Sequence, residues 1–387
     1  MSTDALVQAI SDILRPGMSV ALGDGAGALG PQACAALSAA ARDVGSLRLV
    51  LGWLPTTAEG LDPDAFATVV VLMPNGGARH VLRSPAARFV PARLSAWPAL
   101  LTGPLRPDIL ITRLVQRDGL LHFGTEVSFQ RGLVQAGVPV GAIVVDDCPI
   151  ASAEAPLSFD QVRVIGTSHD QQAQLHREPD PIHESLADAV LRFVPAGARL
   201  QYGPGQLGTA LLRRAAMPLR IDTGLLTDAV VDLDRRGLLI GQPSATYLVG
   251  TDELYQWADC RPILRGIEHT HDVTRLSRGE PFVAVNTVVE IDPVGQVNVE
   301  GIGDKVIGGI GGHADYCMAA RASSGGLSII ATPSTINGRS SLVEQLSRPT
   351  STLAHDVDVI VTESGHADVR DADWSQRRKL ITELFTA

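Results

Sequence analysis

The sequence predicts an α/β protein made of two related open, mainly parallel sheets covered by helices. Short apolar runs alternate with alanine- and leucine-rich helical patterns along the whole chain. One supersecondary unit is used twice: Pro16 to Gly25 resembles Ala196 to Gly205, with glycines in register at Gly17/Gly197, Gly23/Gly203 and Gly25/Gly205. At 387 residues the chain also exceeds one ordinary hydrophobic core, so two domains are expected.

Each copy of the unit reads as a short strand, a glycine-rich turn, a helix and a second strand. In the first, Gly23-Asp24-Gly25-Ala26-Gly27 precedes a helical stretch around Gln32 to Arg42, and Leu47 to Gly52 is the next strand. In the second, Gly203-Pro204-Gly205-Gln206-Leu207-Gly208 precedes a helix near Thr209 to Ala215, and Leu219 to Gly224 comes next as a strand. Further strands are predicted at Thr68 to Leu72, Ile109 to Thr112, Ala142 to Val145, Val162 to Ile165, Phe282 to Val289, Ser328 to Thr332 and Val357 to Val361. The polar stretch from Thr167 to Ile182 reads as the crossing between two α/β domains, 1–180 and 181–387.

Composition excludes several classes. A net charge of −10 would repel nucleic acid and anionic membrane. No segment approaches the roughly 20 apolar residues that a membrane span needs, and the N-terminus has no basic, then apolar, leader pattern. A cytoplasmic protein is expected. Cys34, Cys148, Cys260 and Cys317 are scattered without metal-ligand or disulfide spacing, so reduced thiols are expected. His269-Thr270-His271 has no third ligand in its neighbourhood of sequence and reads as an ordinary loop, so no metal is expected.

A glycine turn between strand and helix exposes backbone N–H groups at a helix N-terminus, where a phosphate or a developing oxyanion is stabilised. The competing reading is a tight turn that lets helix and sheet approach closely. For the second turn, the residues downstream of it decide. Asn286 to Glu300 continues into Gly308-Gly309-Ile310-Gly311-Gly312-His313-Ala314-Asp315-Tyr316, then Ser323 to Ser334, and Thr362 to Arg370 near the end. With Asp118 to Gly124 and Val144 to Pro149 in order in the first half, the chain resembles the acetyl-CoA hydrolase/CoA transferase family.

The resemblance implies a pair of CoA-transferase-type domains with acyl-CoA bound in the cleft between them, and a homodimer would be ordinary for such an enzyme. It implies that Gly203, Pro204, Gly205, Gln206 and Leu207 hold the thioester oxygen and part of CoA. Gly309, Gly311 and Gly312 would belong to a second CoA-contacting loop, and Asn286 would lie beside the cofactor; Asn286 reads equally well as a strand-end side chain satisfying local backbone.

The family transfers CoA through a glutamate that attacks the acyl-CoA and then stores CoA as an enzyme thioester. Its frame is a threonine, the glutamate, an apolar pair and Ser-Asp. Here Thr223, Gly224, Leu225-Leu226 and Thr227-Asp228 fill the frame, and no glutamate occurs between Glu184 and Glu253. On a strand Asp222 would share a face with residue 224, but about 6 to 7 Å away and one methylene shorter. It is a poor substitute nucleophile. Leu327 stands where the family commonly has a lysine and His313 where it has a glutamine.

Glu126, in Phe123-Gly124-Thr125-Glu126-Val127-Ser128, stands where the family has a small polar residue. A partly desolvated carboxylate there would have its pKa raised and could activate water; a surface glutamate or one at a helix start is the competing reading. His313 is the second candidate base. The sequence therefore points first to an acyl-CoA-dependent hydrolase that cleaves a thioester or a β-dicarbonyl C–C bond. The alternatives are a CoA transferase with a substitute carboxylate, Asp222 or Glu126, and an inactive CoA-binding or partner protein.

Overall fold

The computed structural model describes residues 2–386, and internal contacts divide them into two units. The first comprises residues 2–92, 96–175 and 246–268, the second residues 93–95, 176–245 and 269–386.

The first unit is built on eight strands: β1 (Ser19–Leu22), β2 (Arg48–Leu51), β3 (Thr68–Val71), β4 (Ala87–Phe89), β5 (Ile109–Arg117), β6 (Leu120–His122), β7 (Val140–Val145) and β8 (Val162–Thr167). They pair in the order β4-β3-β2-β1-β5-β7-β8, all parallel, with β6 antiparallel to β5. The first seven residues of β5 are all buried, as a strand covered on both faces requires, which is why it reads as a continuous apolar run. Helices Thr3–Ser11 and Pro31–Val44 contribute Leu6, Ile10 and Leu37 to a core shared with Leu49, Val69 and Ile111.

The second unit repeats the plan with β9 (Arg199–Tyr202), β10 (Arg220–Ile221), β11 (Phe282–Asn286), β12 (Leu327–Ala331), β13 (Val359–Thr362) and β14 (Gly365–Asp368). Their order is β10-β9-β11-β12-β13-β14, parallel except for the last pair. The expected α/β class with two open, mainly parallel sheets is therefore what the chain adopts. In each sheet the strand order reverses direction once, between β1 and β5 and between β9 and β11. The crevice beyond the carboxyl ends of such a strand pair is where open α/β sheets bind ligands.

Two expected strands are shorter in the structure. Phe282 to Val289 ends at Asn286, and Leu219 to Gly224 contracts to Arg220–Ile221. After Ile221 the backbone turns to another partner: Ser244 donates to the Ile221 carbonyl, and Thr223 donates to that of Ser244. Residue 224 thus lies outside any strand, and strand alternation does not relate it to Asp222. The helix expected from Thr209 begins three residues earlier, as Gln206–Arg214, because Gly205 is its N-cap.

Candidate active site

In the first unit the switch point is a buried polar cluster. Gly23 donates its N–H to the Ile111 carbonyl, and a Cβ at Gly23 would stand 2.2 Å from the Thr112 hydroxyl, so only glycine fits where β1 passes β5. The next turn curls around Glu126. The Gly27 N–H and the Thr125 hydroxyl both donate to Glu126 Oε2, at 2.7 and 2.6 Å. Glu126 is 4% exposed and pairs through its backbone with Tyr247, so it is neither a surface residue nor the start of a helix. Burial raises its pKa, with the Arg113 charge and the two hydrogen bonds acting in the opposite direction.

Asp24 stands beside it. Its Oδ2 accepts from the Tyr247 hydroxyl (2.7 Å), the Trp53 N–H (3.1 Å) and the Ser128 hydroxyl (3.2 Å), while Oδ1 is buried with no partner among the described residues. Burial pushes the Asp24 pKa up to about 7 against those three donors, and Glu126 adds to the rise. Ser128 holds a positive φ of 48°, an uncommon conformation for a non-glycine residue, and its Oγ lies 2.6 Å from the Tyr247 hydroxyl. Two buried carboxyls with raised pKa values at one switch point mark a candidate acid/base site. Sequence reasoning missed Asp24, Ser128 and Tyr247. Asp24 at least sits inside the conspicuous glycine turn, whereas Tyr247 arrives from 121 residues beyond Glu126 and carries no local signal.

In the second unit the switch point opens into a cavity of about 510 Å³ lined by Gly203 through Gly208 together with Arg177, His183 and Thr287. A Cβ built on Gly203 or Gly205 would meet nothing within 4 Å, so no protein group claims that space. Gly208 differs, because its Cβ would collide with the Gly203 carbonyl at 2.1 Å, and glycine is needed there for the turn itself. The helix Gln206–Arg214 has no side-chain N-cap, which leaves its first N–H groups facing the cavity with the Arg177 guanidinium and the His183 ring nearby. Phosphate oxygens of CoA suit that environment.

The remaining expected residues are held in other ways. Asn286 ends β11 at the switch point, but its amide exchanges hydrogen bonds with Gln201 at 3.1 and 3.3 Å. His313 has both ring nitrogens engaged, Nδ1 with the Thr352 hydroxyl (2.7 Å) and Nε2 with the Thr287 carbonyl (3.1 Å), and burial lowers its pKa to about 4. Gly311 takes φ +57° and accepts the Leu94 N–H, while Gly309 is half-buried ahead of it. A Cβ at Gly312 would stand 2.6 Å from the His271 ring, so this glycine serves close packing. Asp222 is gripped by Arg275 through two hydrogen bonds of 2.7 and 2.8 Å, with Arg199 at 3.4 Å. Among the described residues no group of three or more His, Cys, Asp or Glu could hold a metal ion, and no helix is long and apolar enough to cross a membrane.

Comparison with known proteins agrees with this architecture. The 4-hydroxybutyrate coenzyme A transferase of Clostridium kluyveri is 24% identical over 333 residues, covering 81% of this chain and 78% of that protein. An acetyl-CoA hydrolase of Candida albicans is 28% identical over 200 residues, covering 48% of this chain and 37% of that one. The crystal structure of RipA from Yersinia pestis superposes with a TM-score of 0.87 at 24% identity, over 99% of this chain and 96% of RipA, which shows the shared fold. Residues 250–384 match the acetyl-CoA hydrolase/transferase C-terminal domain. Residues 250–384 thus form a domain of the acetyl-CoA hydrolase/transferase family, and the chain is an enzyme of the acyl-CoA hydrolase/transferase kind.

Proposed function

We propose that the chain is an acyl-CoA hydrolase in which Glu126 activates water. The observation that carries this reading is a buried carboxylate of raised pKa whose hydrogen bonds both fall on Oε2, which leaves Oε1 for a proton in transit. The competing candidates are less available: both His313 nitrogens are occupied, and Asp222 is fixed between two arginines.

In this reading the Gly203–Leu207 turn and Arg177 hold CoA. Water adds to the thioester carbonyl as its proton passes to Glu126; the tetrahedral intermediate then collapses, expelling the CoA thiolate, which regains a proton, and leaving the acid. Asp24, largely protonated below pH 7, keeps a second negative charge from building up beside Glu126. The family's frame residue Gly224 carries no carboxylate, so CoA is released rather than stored on the protein.

The test is incubation with an acyl-CoA panel in heavy-oxygen water, with and without acetate. Free CoA and one heavy oxygen in the released acid are expected. CoA arriving on acetate instead would assign transfer, with Glu126 the remaining carboxylate for it.

A further inference from the structure

Gly224 is half-exposed, between the buried Ile221–Thr223 and the buried Leu225 and Leu226. Its surroundings are unusual. The space a Cβ at Gly224 would take is bounded by the Tyr316 hydroxyl at 3.1 Å and His271 Nε2 at 3.4 Å. Both side chains are almost fully buried, 3% and 1% exposed, and both of these polar atoms lack a hydrogen-bond partner among the described residues. An unpaired buried polar group costs roughly 1 to 3 kcal/mol, so two converging on one point call for an explanation.

The pair is closely supported. The two rings lie 4.8 Å apart, Tyr316 also stacks on Phe282, and Gly312 is small enough to let both rings in. Burial lowers the His271 pKa to about 3, with the nearby Arg275 charge adding to the effect, so the ring is neutral at pH 7. Its Nδ1 meets the Thr270 hydroxyl at 2.9 Å; with that hydroxyl as donor, the ring proton sits on Nε2. Burial pushes the Tyr316 pKa well up and keeps its hydroxyl protonated. Two neutral donors then face the opening left by the glycine.

We propose that the Gly224 cradle binds an acyl oxygen, the carbonyl of the substrate or the carboxylate of the released acid, through hydrogen bonds from Tyr316 Oη and His271 Nε2. A side chain at 224 would occupy this place; its absence gives it to the ligand. The inference rests on the acyl-CoA reading for its ligand class but not on hydrolysis.

The test uses the full chain and acetate, propionate and butyrate as probes, with binding measured calorimetrically and no turnover required. Tyr316→Phe keeps the ring packing and removes one donor, and is expected to weaken carboxylate binding about five- to tenfold. Gly224→Ala fills the cradle and is expected to remove binding, whereas Glu126→Gln leaves carboxylate binding unchanged even though it slows hydrolysis. Equal affinities in wild type, Tyr316→Phe and Gly224→Ala overturn the proposal, as does absence of binding of all three acids to the wild type. If Gly224→Ala fails to fold, the Tyr316→Phe comparison decides alone.

Discussion

Gly27 donates its backbone N–H to Glu126 Oε2 at 2.7 Å, and a larger residue at position 27 would displace that carboxylate, because its Cβ would lie 2.2 Å from Oε1. The turn and the acid are shaped to each other. Glu126→Gln should retain both hydrogen bonds and the fold, yet lower kcat by about a hundred- to ten-thousandfold, the span typical of a lost general base. Steady-state hydrolysis with a thermal unfolding control checks this, and unchanged turnover would exclude Glu126 as the base.

The pH profile is set by the same environment. A base must be ionised, and burial raises the Glu126 pKa above its usual 4.5, so kcat should climb with pH through an apparent value above 4.5 and then level off. Because Asp24 titrates in the same cluster, the apparent values belong to the pair. A rate independent of pH between 4 and 8 would contradict the assignment.

Asp24 also ties stability to pH. Its folded pKa of about 7 exceeds the reference 3.8, so over that window the folded state binds the proton better, and stability from this group falls as pH rises through it. At about 1.4 kcal/mol per unit the upper bound is about 4 kcal/mol at pH 8. His271 and His313 act oppositely: their pKa values are lowered to about 3 and about 4, so their contribution is lost as pH falls below 6.5. Asp24→Asn should therefore raise stability at pH 8 and leave an acid-side loss governed by the histidines. Denaturant midpoints across pH 4 to 8 measure it; a mutant curve parallel to wild type is the contrary result.

How much of this was legible in sequence depends on the range of the interaction. The Gly203–Leu207 turn and the buried strands are local patterns, since a glycine turn and a continuous apolar run announce themselves within ten residues. The burial of Glu126 is not local: Gly27 and Tyr247 create it from opposite directions along the chain. The grip on Asp222 is hidden for the same reason, because Arg275 lies 53 residues away. Likewise, His271 read as part of a loop until Tyr316 and Gly224 were placed against it.

The Asp222–Arg275 pair gives a separate prediction. Asp222 is 5% exposed and held bidentately, so Asp222→Asn should destabilise the fold by about 3 kcal/mol, chiefly by leaving Arg275 and Arg199 without their counter-charge. Turnover per folded molecule should change less than threefold. A loss comparable to that of Glu126→Gln at equal folded fraction would instead make Asp222 the acting carboxylate.

Placing a carboxylate at position 224 tests the relation between hydrolysis and CoA transfer in this chain. Gly224 does not hold a positive φ, and the nearest neighbours of a new Cβ are a hydroxyl and a ring edge at 3.1 and 3.4 Å, so a Cβ at this position requires shifts of only a few tenths of an ångström. The new carboxylate would extend past the Tyr316 hydroxyl and His271 Nε2, two donors able to hold it. Attack on an acyl-CoA carbonyl would expel the CoA thiolate and form a mixed anhydride. Return of the thiolate to the glutamyl carbonyl would release the acid and leave CoA on the protein. Mass spectrometry should show that adduct in Gly224→Glu, also with Glu126→Gln added, and not in wild type. A folded Gly224→Glu protein that never carries CoA would mean that the substitution at 224 is not what separates hydrolysis from transfer in this chain.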